Sequence, residues 1–308
     1  MLFHNNLKNI NPNIWGITAC LFWSLSPSWV CNLNELPPFE TIFFMYLISF
    51  TLIAYKNYKK PIWPSLKTIP KHLALIGVVG ICGNDMLYIL SLKIIAPEHA
   101  ELIAYLWPIF SLIGMSFFGK IQPKFHHALG MLLALSGIGI LSLQDTPSMQ
   151  LYHFNVGYLV AILGAIVWSV YNVFAKINNS IPETIFILIF GSGLIMSLLT
   201  HLYFESFILP SLSQLFSISL MGLTTHFLAY TFWDYSIKHG NFIFLHSFAY
   251  LNPLISISFL ILFGYTQATI LLWSAAILIC LGCFIINNPF NPLRYLVKKL
   301  NLFPLVTV

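Results

Sequence analysis

The sequence predicts an all-α integral membrane protein of ten transmembrane helices, arranged as two inverted five-helix repeats. Three observations carry this prediction: the composition, the spacing of long apolar runs, and a similarity between the two halves at one fixed offset. The chain of 308 residues is 58% hydrophobic and 7% charged, with a mean hydropathy of +0.83. Soluble domains carry about 25% charged residues. So few charges cannot cover an aqueous surface, and lipid is the expected solvent.

Ten apolar runs have the length of a membrane-crossing helix, which needs about 20 residues for a hydrocarbon core of ~30 Å. Backbone polar groups in lipid must pair within their own segment, so we expect each run to be helical. The alternating pattern of a membrane barrel is absent. The predicted spans are residues 14–33, 39–55, 72–92, 97–118, 126–143, 155–175, 184–203, 212–237, 241–264 and 268–287.

The positive charges predict the orientation of these spans. With the N-terminus inside, all of the 14 Lys and Arg residues except Lys93 fall in cytoplasmic segments. The outer loops otherwise carry Glu35, Asp145 and Glu205. Lys and Arg accumulate on the cytoplasmic side of bacterial membrane proteins. We therefore expect a multi-pass protein of the bacterial inner membrane with both termini in the cytoplasm.

The second half of the chain repeats the first at an offset of 145 residues. Trp23 falls on Trp168, and the AYLWP block at 104–108 falls on the AYLNP block at 249–253. Further matched pairs are Ser24 with Ser169, Gly77 with Gly222, Ser91 with Ser236, Lys93 with Lys238, Phe118-Gly119 with Phe263-Gly264, Gln122 with Gln267, and Gly137 with Gly282. The offset also places each predicted span on another span, which indicates a duplicated unit.

A unit of five spans crosses the membrane an odd number of times, so the second copy must enter from the opposite side. Inverted repeats are a common transporter architecture, with the substrate site near the membrane midplane. The predicted organisation is a first repeat at 14–143, a second at 155–287 and a cytoplasmic tail at 288–308.

Several ionisable residues fall inside predicted spans, where each costs roughly 2.5–3.5 kcal/mol to insert. They are Asp85, Glu101, His226, Asp234 and His246. Such residues usually face a cavity or pair with one another. Two interpretations therefore stay open: a ligand site, or buried structural networks.

Helical spacing places an aromatic residue one turn from each of these groups. The pairs are Asp85 with Tyr88, Glu101 with Tyr105, His226 and Asp234 with Tyr230, and His246 with Tyr250. Carboxylates and ring faces both attract cations, which favours a ligand with an ammonium or sulfonium centre. The acids are equally candidates for binding a coupling proton.

Four further residues complete the candidate substrate-binding set. Trp23 and Trp168 lie in the middle of their spans, away from the interfaces where tryptophan concentrates, so they line a cavity or fill the core. Asn172 follows Trp168 by one turn and can hydrogen-bond a ligand. Trp107 precedes Pro108, whereas Asn252 precedes the equivalent proline, so the halves differ there.

The segment APEHAELIAYLWP at 96–108 resembles the fourth-helix motif of the EamA-type drug/metabolite transporters, and in particular of their aromatic amino-acid exporter branch. The resemblance covers about residues 14–287. It implies ten helices in two inverted repeats and a small-molecule substrate. The additional acids Glu98, Glu101, Asp85 and Asp234 distinguish this chain from that motif and favour a cationic ligand.

We predict a secondary transporter of amino acids or related small metabolites, with aromatic and hydrophobic amino acids favoured, that works by alternating access. Uptake or exchange of S-adenosylmethionine is the alternative, and a lipid flippase is the alternative of another class. The histidines are scattered and no Walker loop, HExxH or GxSxG motif occurs, so we expect no enzyme, no ATP-driven motor, no metal and no cofactor. The expected partners are the substrate, a candidate coupling proton and membrane lipid, and no nucleic acid.

Overall fold

The computed structural model describes residues 11–59, 62–118, 124–142, 155–240, 245, 248–249 and 251–287. All regular secondary structure in these ranges is helical. The helices are α1 (Pro12–Cys31), α2 (Pro38–Asn57), α3 (Ile62–Lys67), α4 (Lys71–Ile94), α5 (Pro97–Phe117), α6 (Phe125–Ser142), α7 (Val156–Ile177), α8 (Ile185–Phe204), α9 (Leu212–His239), α10 (Asn252–Leu262) and α11 (Ile270–Asn287).

Seven of these helices are long and apolar enough to cross a membrane: α1, α2, α4, α5, α7, α8 and α9. Their ends agree with the predicted spans to within about two residues, so the prediction of a multi-pass helical membrane protein is confirmed. Helices α6, α10 and α11 are apolar as well. The predicted span 241–264 lies partly outside the described residues.

The helix starts follow from local sequence. The Asn11 side chain accepts a hydrogen bond from the Asn13 amide over 3.0 Å at the start of α1. Asn155 caps α7 in the same way, and Ser211 forms a capping box with Gln214 at the start of α9. These side chains satisfy amide groups that have no partner inside the helix. Proline occupies the first turn of α1, α2 and α5, where its missing donor costs nothing.

Apolar side chains cover the outside of the bundle. On α8, Ile195, Leu199 and Leu202 form an outward stripe with 60%, 61% and 68% of their surfaces exposed. The opposite face of α8 buries Gly193 and Ser197. A helix with its apolar face outward and small or polar residues inward is suited to lipid.

Helix packing follows the repeat. Helix α1 contacts α9 and α10 extensively, and its repeat counterpart α7 contacts α4 and α5 to a similar extent. Helix α2 packs against α8 and α9, and α6 packs along α11. In the contacts made by α1 and in those made by α7, a helix of one half packs against helices of the other half.

Two half-buried lysines illustrate the repeat in atomic detail. Lys93 Nζ donates to the carbonyl oxygen of Leu36 over 3.0 Å, and Lys238 Nζ donates to that of Ile181 over 2.7 Å. Both lysines and both carbonyls are 145 residues apart in the sequence. The same local structure therefore occurs once in each half.

The contact between α6 and α11 is reciprocal. A Cβ atom at Gly137 would lie 2.8 Å from the carbonyl oxygen of Ala275, and one at Gly282 would clash with the carbonyl oxygen of Gly130. Gly130 and Ala275 are themselves repeat mates. Gly137 thus contacts the mate of Gly130, and Gly130 contacts the mate of Gly137, as expected for two helices packed about a local two-fold axis.

Irregular segments also recur at the repeat offset. The α4 helix contains a π-helical stretch at Val79–Gly83, and α9 contains one at Gly222–Leu228. The α5 helix breaks before Trp107–Phe117, and the equivalent segment Asn252–Leu262 forms α10. π-Helical turns are rare and are frequent at functional sites. These irregular segments lie beside the cavity described next.

Candidate functional site

A cavity of about 110 Å³ lies between the two halves. On the same scale one water needs ~10–15 Å³, so this space can hold several waters or a small organic group. Its lining comes from α1, α2, α4 and α5 of the first half and from α7, α9 and α10 of the second. This position matches the repeat interface, where transporters of duplicated architecture bind their substrates.

Asp85, on α4, is held by three donors from α2 and α9. Tyr46 Oη donates to Oδ2 over 2.7 Å, and Tyr230 Oη donates to Oδ1. His226 Nε2 lies 2.8 Å from Oδ2. Asp85 and Tyr230 are repeat mates, and their direct contact places them next to the two-fold axis. The donors offset the cost of burying a carboxylate, which is several kcal/mol for an ion without partners.

The imidazole of His226 links Asp85 to the backbone of two helices. Its Nδ1 lies 3.0 Å from Ser49 Oγ, which is 2.9 Å from the Met45 carbonyl oxygen and 3.0 Å from that of Gly222. A neutral imidazole with its proton on Nε2 accepts a hydrogen bond from Ser49 Oγ at Nδ1. A protonated imidazole donates there, and Ser49 turns its proton to a carbonyl. Both states have their hydrogen bonds satisfied.

Glu101, on α5, is buried with 2% of its surface exposed. Its Oε2 accepts a hydrogen bond from Tyr88 Oη over 2.5 Å, and its Oε1 accepts one from Ser256 Oγ over 2.6 Å. Such short distances are typical of a hydroxyl that donates to a carboxylate. The carboxylate therefore joins α4, α5 and α10 at the cavity.

Asn252, at the start of α10, completes the polar part of the lining. Its Nδ2 donates to Tyr105 Oη over 2.8 Å and to the Cys20 carbonyl oxygen over 3.2 Å. Because a carbonyl can only accept, the amide nitrogen must face Cys20, which determines the orientation of the side chain. The Asn252 Oδ1 atom is buried and accepts no hydrogen bond within the described part of the chain.

Tryptophan and tyrosine rings form the aromatic wall of the cavity. The ring centroids of the repeat mates Trp23 and Trp168 are 5.8 Å apart in an edge-to-face arrangement. Trp107 contacts Trp168 at 6.3 Å, and Tyr230 contacts Trp23 at 5.6 Å. Edge-to-face pairs add stability beyond burial. The wall can therefore be rigid enough to hold an aromatic ligand group.

Eight of the predicted substrate-binding residues line this cavity, namely Trp23, Asp85, Tyr88, Glu101, Tyr105, Trp107, Trp168 and Tyr230. The structure thus brings together residues from distant parts of the sequence. Their role in substrate binding stays a prediction. The predicted residues His246 and Tyr250 lie outside the described residues.

The other two predicted residues occupy different surroundings. Asn172 donates to the Trp168 carbonyl oxygen over 2.9 Å and accepts from Trp233 Nε1 over 3.1 Å, so it supports the aromatic wall from behind. Asp234 pairs with Lys238 Nζ at 2.7 Å and lines a separate, smaller cavity.

Several residues of the site were not among the predicted set. Tyr46, Ser49 and Ser256 provide hydrogen bonds to the acids or to His226, but as ordinary hydroxyl residues in apolar runs they carry no distinguishing signal. His226 was predicted as an ionisable residue of α9, and its burial inside a span was the usable signal. Asn252 was noted for the difference between the halves. Among the described residues no cluster of three or more His, Cys, Asp or Glu could hold a metal ion.

A multi-pass helical protein with buried carboxylates around a cavity between its halves has the architecture of a membrane transporter. The EamA-like transporter family model matches residues 11–143 and again residues 155–288. The chain therefore belongs to the EamA-like transporter family and contains the family domain twice, which confirms the resemblance of the fourth-helix motif.

Among the relatives that match over most of their length are two bacterial proteins named as aromatic amino acid exporters. The chain is 25% identical over 260 residues to the aromatic amino acid exporter YddG of Ancylobacter novellus, covering 84% of this chain and 91% of that protein. It is 25% identical over 288 residues to the aromatic amino acid exporter YddG of Escherichia coli K12, covering 87% and 93%. A solved crystal structure superposes with a TM-score of 0.73 at 24% identity, covering 91% of this chain and 98% of the other. That likeness shows a shared fold.

Proposed function

We propose that the protein is a secondary transporter of amino acids, with aromatic and hydrophobic amino acids favoured, and that it works by alternating access. The observation that carries the proposal is the cavity between the two halves, lined by Trp23, Trp107 and Trp168. The names of the relatives as aromatic amino acid exporters support the substrate class. The bacterial relatives and the membrane helices support a place in a bacterial inner membrane.

The two repeats are proposed to have opposite orientations in the membrane. Glu101 on α5 contacts Ser256 on α10, and Tyr105, one turn later, contacts Asn252, one turn earlier. The two contacts advance in opposite chain directions, so the first part of α5 runs antiparallel to α10, which is the repeat mate of the second part of α5. A two-fold axis that makes equivalent helices antiparallel lies in the membrane plane, as in an inverted repeat.

Contacts between helix ends support the same topology. Lys56 pairs with Glu183, and both residues belong to segments that the charge distribution places inside. Glu205 accepts hydrogen bonds from the Phe39 and Glu40 amides over 3.0 Å each, and these residues belong to the outer side. Under this topology both termini are cytoplasmic. An impermeant label that reacts with tags at both termini only after the cells are opened would agree with it, and labelling of one terminus in intact cells would contradict it.

Alternating access follows from near-equivalent halves. A site on a two-fold axis in the membrane plane opens to one side of the membrane in one conformation of the protein. When the two halves exchange their conformations, the same site opens to the other side. The breaks before Pro108 and Pro253 allow α5 and the segment ending in α10 to bend without losing further hydrogen bonds. We propose that these segments rock together with α1, α4, α7 and α9.

Counterflow in proteoliposomes tests the proposal. Vesicles that contain purified protein and unlabelled L-phenylalanine or L-tryptophan should accumulate the labelled amino acid from outside without an applied ion gradient. Protein-free vesicles are the control. No accumulation above that control with any amino acid would contradict transport of this substrate class.

S-adenosylmethionine is the second candidate substrate, and the two carboxylates in the cavity, Asp85 and Glu101, favour it because this ligand carries a sulfonium charge. The same counterflow assay with S-adenosylmethionine separates the two candidates. Failure of all these compounds to move would exclude both.

A further inference from the structure

The described lining of the central cavity carries two carboxylates, Asp85 and Glu101, and no Lys or Arg. The lysines of the neighbouring helix ends are used elsewhere. Lys93 donates to the Leu33 and Leu36 carbonyl oxygens, and Lys238 pairs with Asp234. The described cavity is therefore negative whenever its acids are ionised.

The two carboxylates are not equivalent. Asp85 lies beside His226, which can carry a compensating positive charge at 2.8 Å. Glu101 is contacted only by the neutral hydroxyls of Tyr88 and Ser256 among the described residues. A buried carboxylate without a cation is unfavourable unless a cation arrives. A ligand cation therefore gains the most electrostatic stabilisation next to Glu101.

A second, independent observation lies one helical turn away. Asn252 is 1% exposed, and its Oδ1 accepts no hydrogen bond in the described structure. Its orientation is determined by the Cys20 carbonyl, so this oxygen cannot be replaced by the amide nitrogen. Ser256 and Asn252 lie one turn apart on α10 and contact Glu101 and Tyr105 respectively, which makes Glu101 and Asn252 neighbours across the helix contact. Buried acceptors without a donor are rare.

We infer that Glu101 and Asn252 form a subsite for a cationic group with N–H donors, and that the transporter prefers aromatic ligands of net charge +1 to zwitterions of the same size. This inference rests on the proposed transporter function, and within it favours the cationic candidate, S-adenosylmethionine, over the zwitterionic aromatic amino acids. The tryptophan rings receive the aromatic part of the ligand. A ligand without positive net charge would leave Glu101 uncompensated, since the described lining of the cavity contains no Lys or Arg.

Two matched ligand pairs test the inference by competition for binding to the purified full-length protein. Tryptamine and L-tryptophan share an indole, and S-adenosylmethionine and S-adenosylhomocysteine share an adenosine. The first of each pair has one more positive net charge. We expect the cation to bind at least about tenfold more tightly in one or both pairs.

Three variants assign the preference to the subsite. Glu101→Gln should reduce the cation-to-zwitterion ratio at least about tenfold. Asn252→Leu should reduce it without any change of charge, which provides a second test should the first variant fold poorly. Glu98→Gln is the matched control, since Glu98 lies on the same helix, accepts from Thr266 over 2.8 Å and does not line the cavity. It should keep the wild-type ratio.

The outcomes separate this inference from the proposed function. Transport of tryptophan with binding as tight as that of tryptamine, and no preference in the second pair, would overturn the cation subsite and leave the amino-acid transporter intact. An unchanged ratio in folded Glu101→Gln protein would also overturn it. Failure of all four compounds to bind would contradict both proposals.

Discussion

Replacement of Asp85 by asparagine tests whether its carboxylate contributes charge or only structure. The substitution keeps the size of the side chain and removes one negative charge from the cavity lining. In the wild-type protein, Tyr46 and Tyr230 donate to the carboxylate, and His226 lies within hydrogen-bond distance of it. The tyrosine hydroxyls can rotate and accept from the new amide. We therefore expect a folded protein destabilised by about 1–2 kcal/mol, the difference between charged and neutral hydrogen bonds.

The effect on a positively charged ligand should be larger. We take a separation of about 6 Å between a ligand cation and the Asp85 carboxylate. At an effective dielectric constant of about 20, two unit charges at that distance attract by about 3 kcal/mol. Since ~1.4 kcal/mol changes an equilibrium constant tenfold, the apparent affinity should fall about a hundredfold where His226 is neutral, and less where its imidazolium compensates the charge.

Transport in proteoliposomes and thermal unfolding in detergent measure the two effects separately. Glu98→Gln loses the same charge outside the cavity and should change neither. Wild-type affinity in Asp85→Asn protein would refute the electrostatic reasoning. A protein that no longer unfolds cooperatively would instead assign Asp85 a structural role.

Two further predictions concern stability and are measured by thermal unfolding of the purified protein. Asp234→Asn should destabilise by about 3–5 kcal/mol because it leaves the charge of the largely covered Lys238 with only the Ile181 carbonyl oxygen as a partner, and adding Lys238→Met should restore stability. A variant as stable as wild type would show that the pair is dispensable. Gly282→Ala should destabilise by about 1–3 kcal/mol because its Cβ meets the Gly130 carbonyl oxygen, a backbone atom that cannot move alone. Gly164→Ala, whose Cβ would make ordinary contacts at 3.4 Å, should be neutral, and equal losses in both glycine variants would contradict the packing argument.

The helices were predictable because a backbone surrounded by lipid must form its hydrogen bonds within its own segment. Any apolar run of about 20 residues must satisfy its own hydrogen bonds, so its length alone determined the ends of α1, α2, α7 and α8 within two residues. The π-helical stretches at Val79–Gly83 and Gly222–Leu228 were not predictable. One additional residue in a turn changes the helical period, but in a segment that is apolar on all sides the period carries little information.

Many of the residues that line the cavity were predictable from the sequence. Their positions along the helix axes were less predictable. Helical periodicity correctly placed Asp234 on the α9 face that carries Tyr230. Four residues along a helix correspond to about 6 Å, however, and this distance moves Asp234 out of the central cavity and into contact with Lys238. Periodicity identifies the direction in which a side chain points. The position along the helix at which a cavity ends depends on the packing of other helices.

The contrast between a symmetric scaffold and an asymmetric lining explains how one site can bind a polar ligand in a defined orientation. At the two-fold axis the repeat mates Asp85 and Tyr230 contact each other, so the charge of one half meets a hydroxyl of the other. Trp107 and Asn252 are likewise mates, and they give the cavity an aromatic side and an amide side. In the proposed alternating-access mechanism, similar backbones would let the halves exchange conformations at similar free energy. Under that proposal, divergence of the side chains at equivalent positions would keep the cationic and aromatic ends of the ligand in the same places during the exchange.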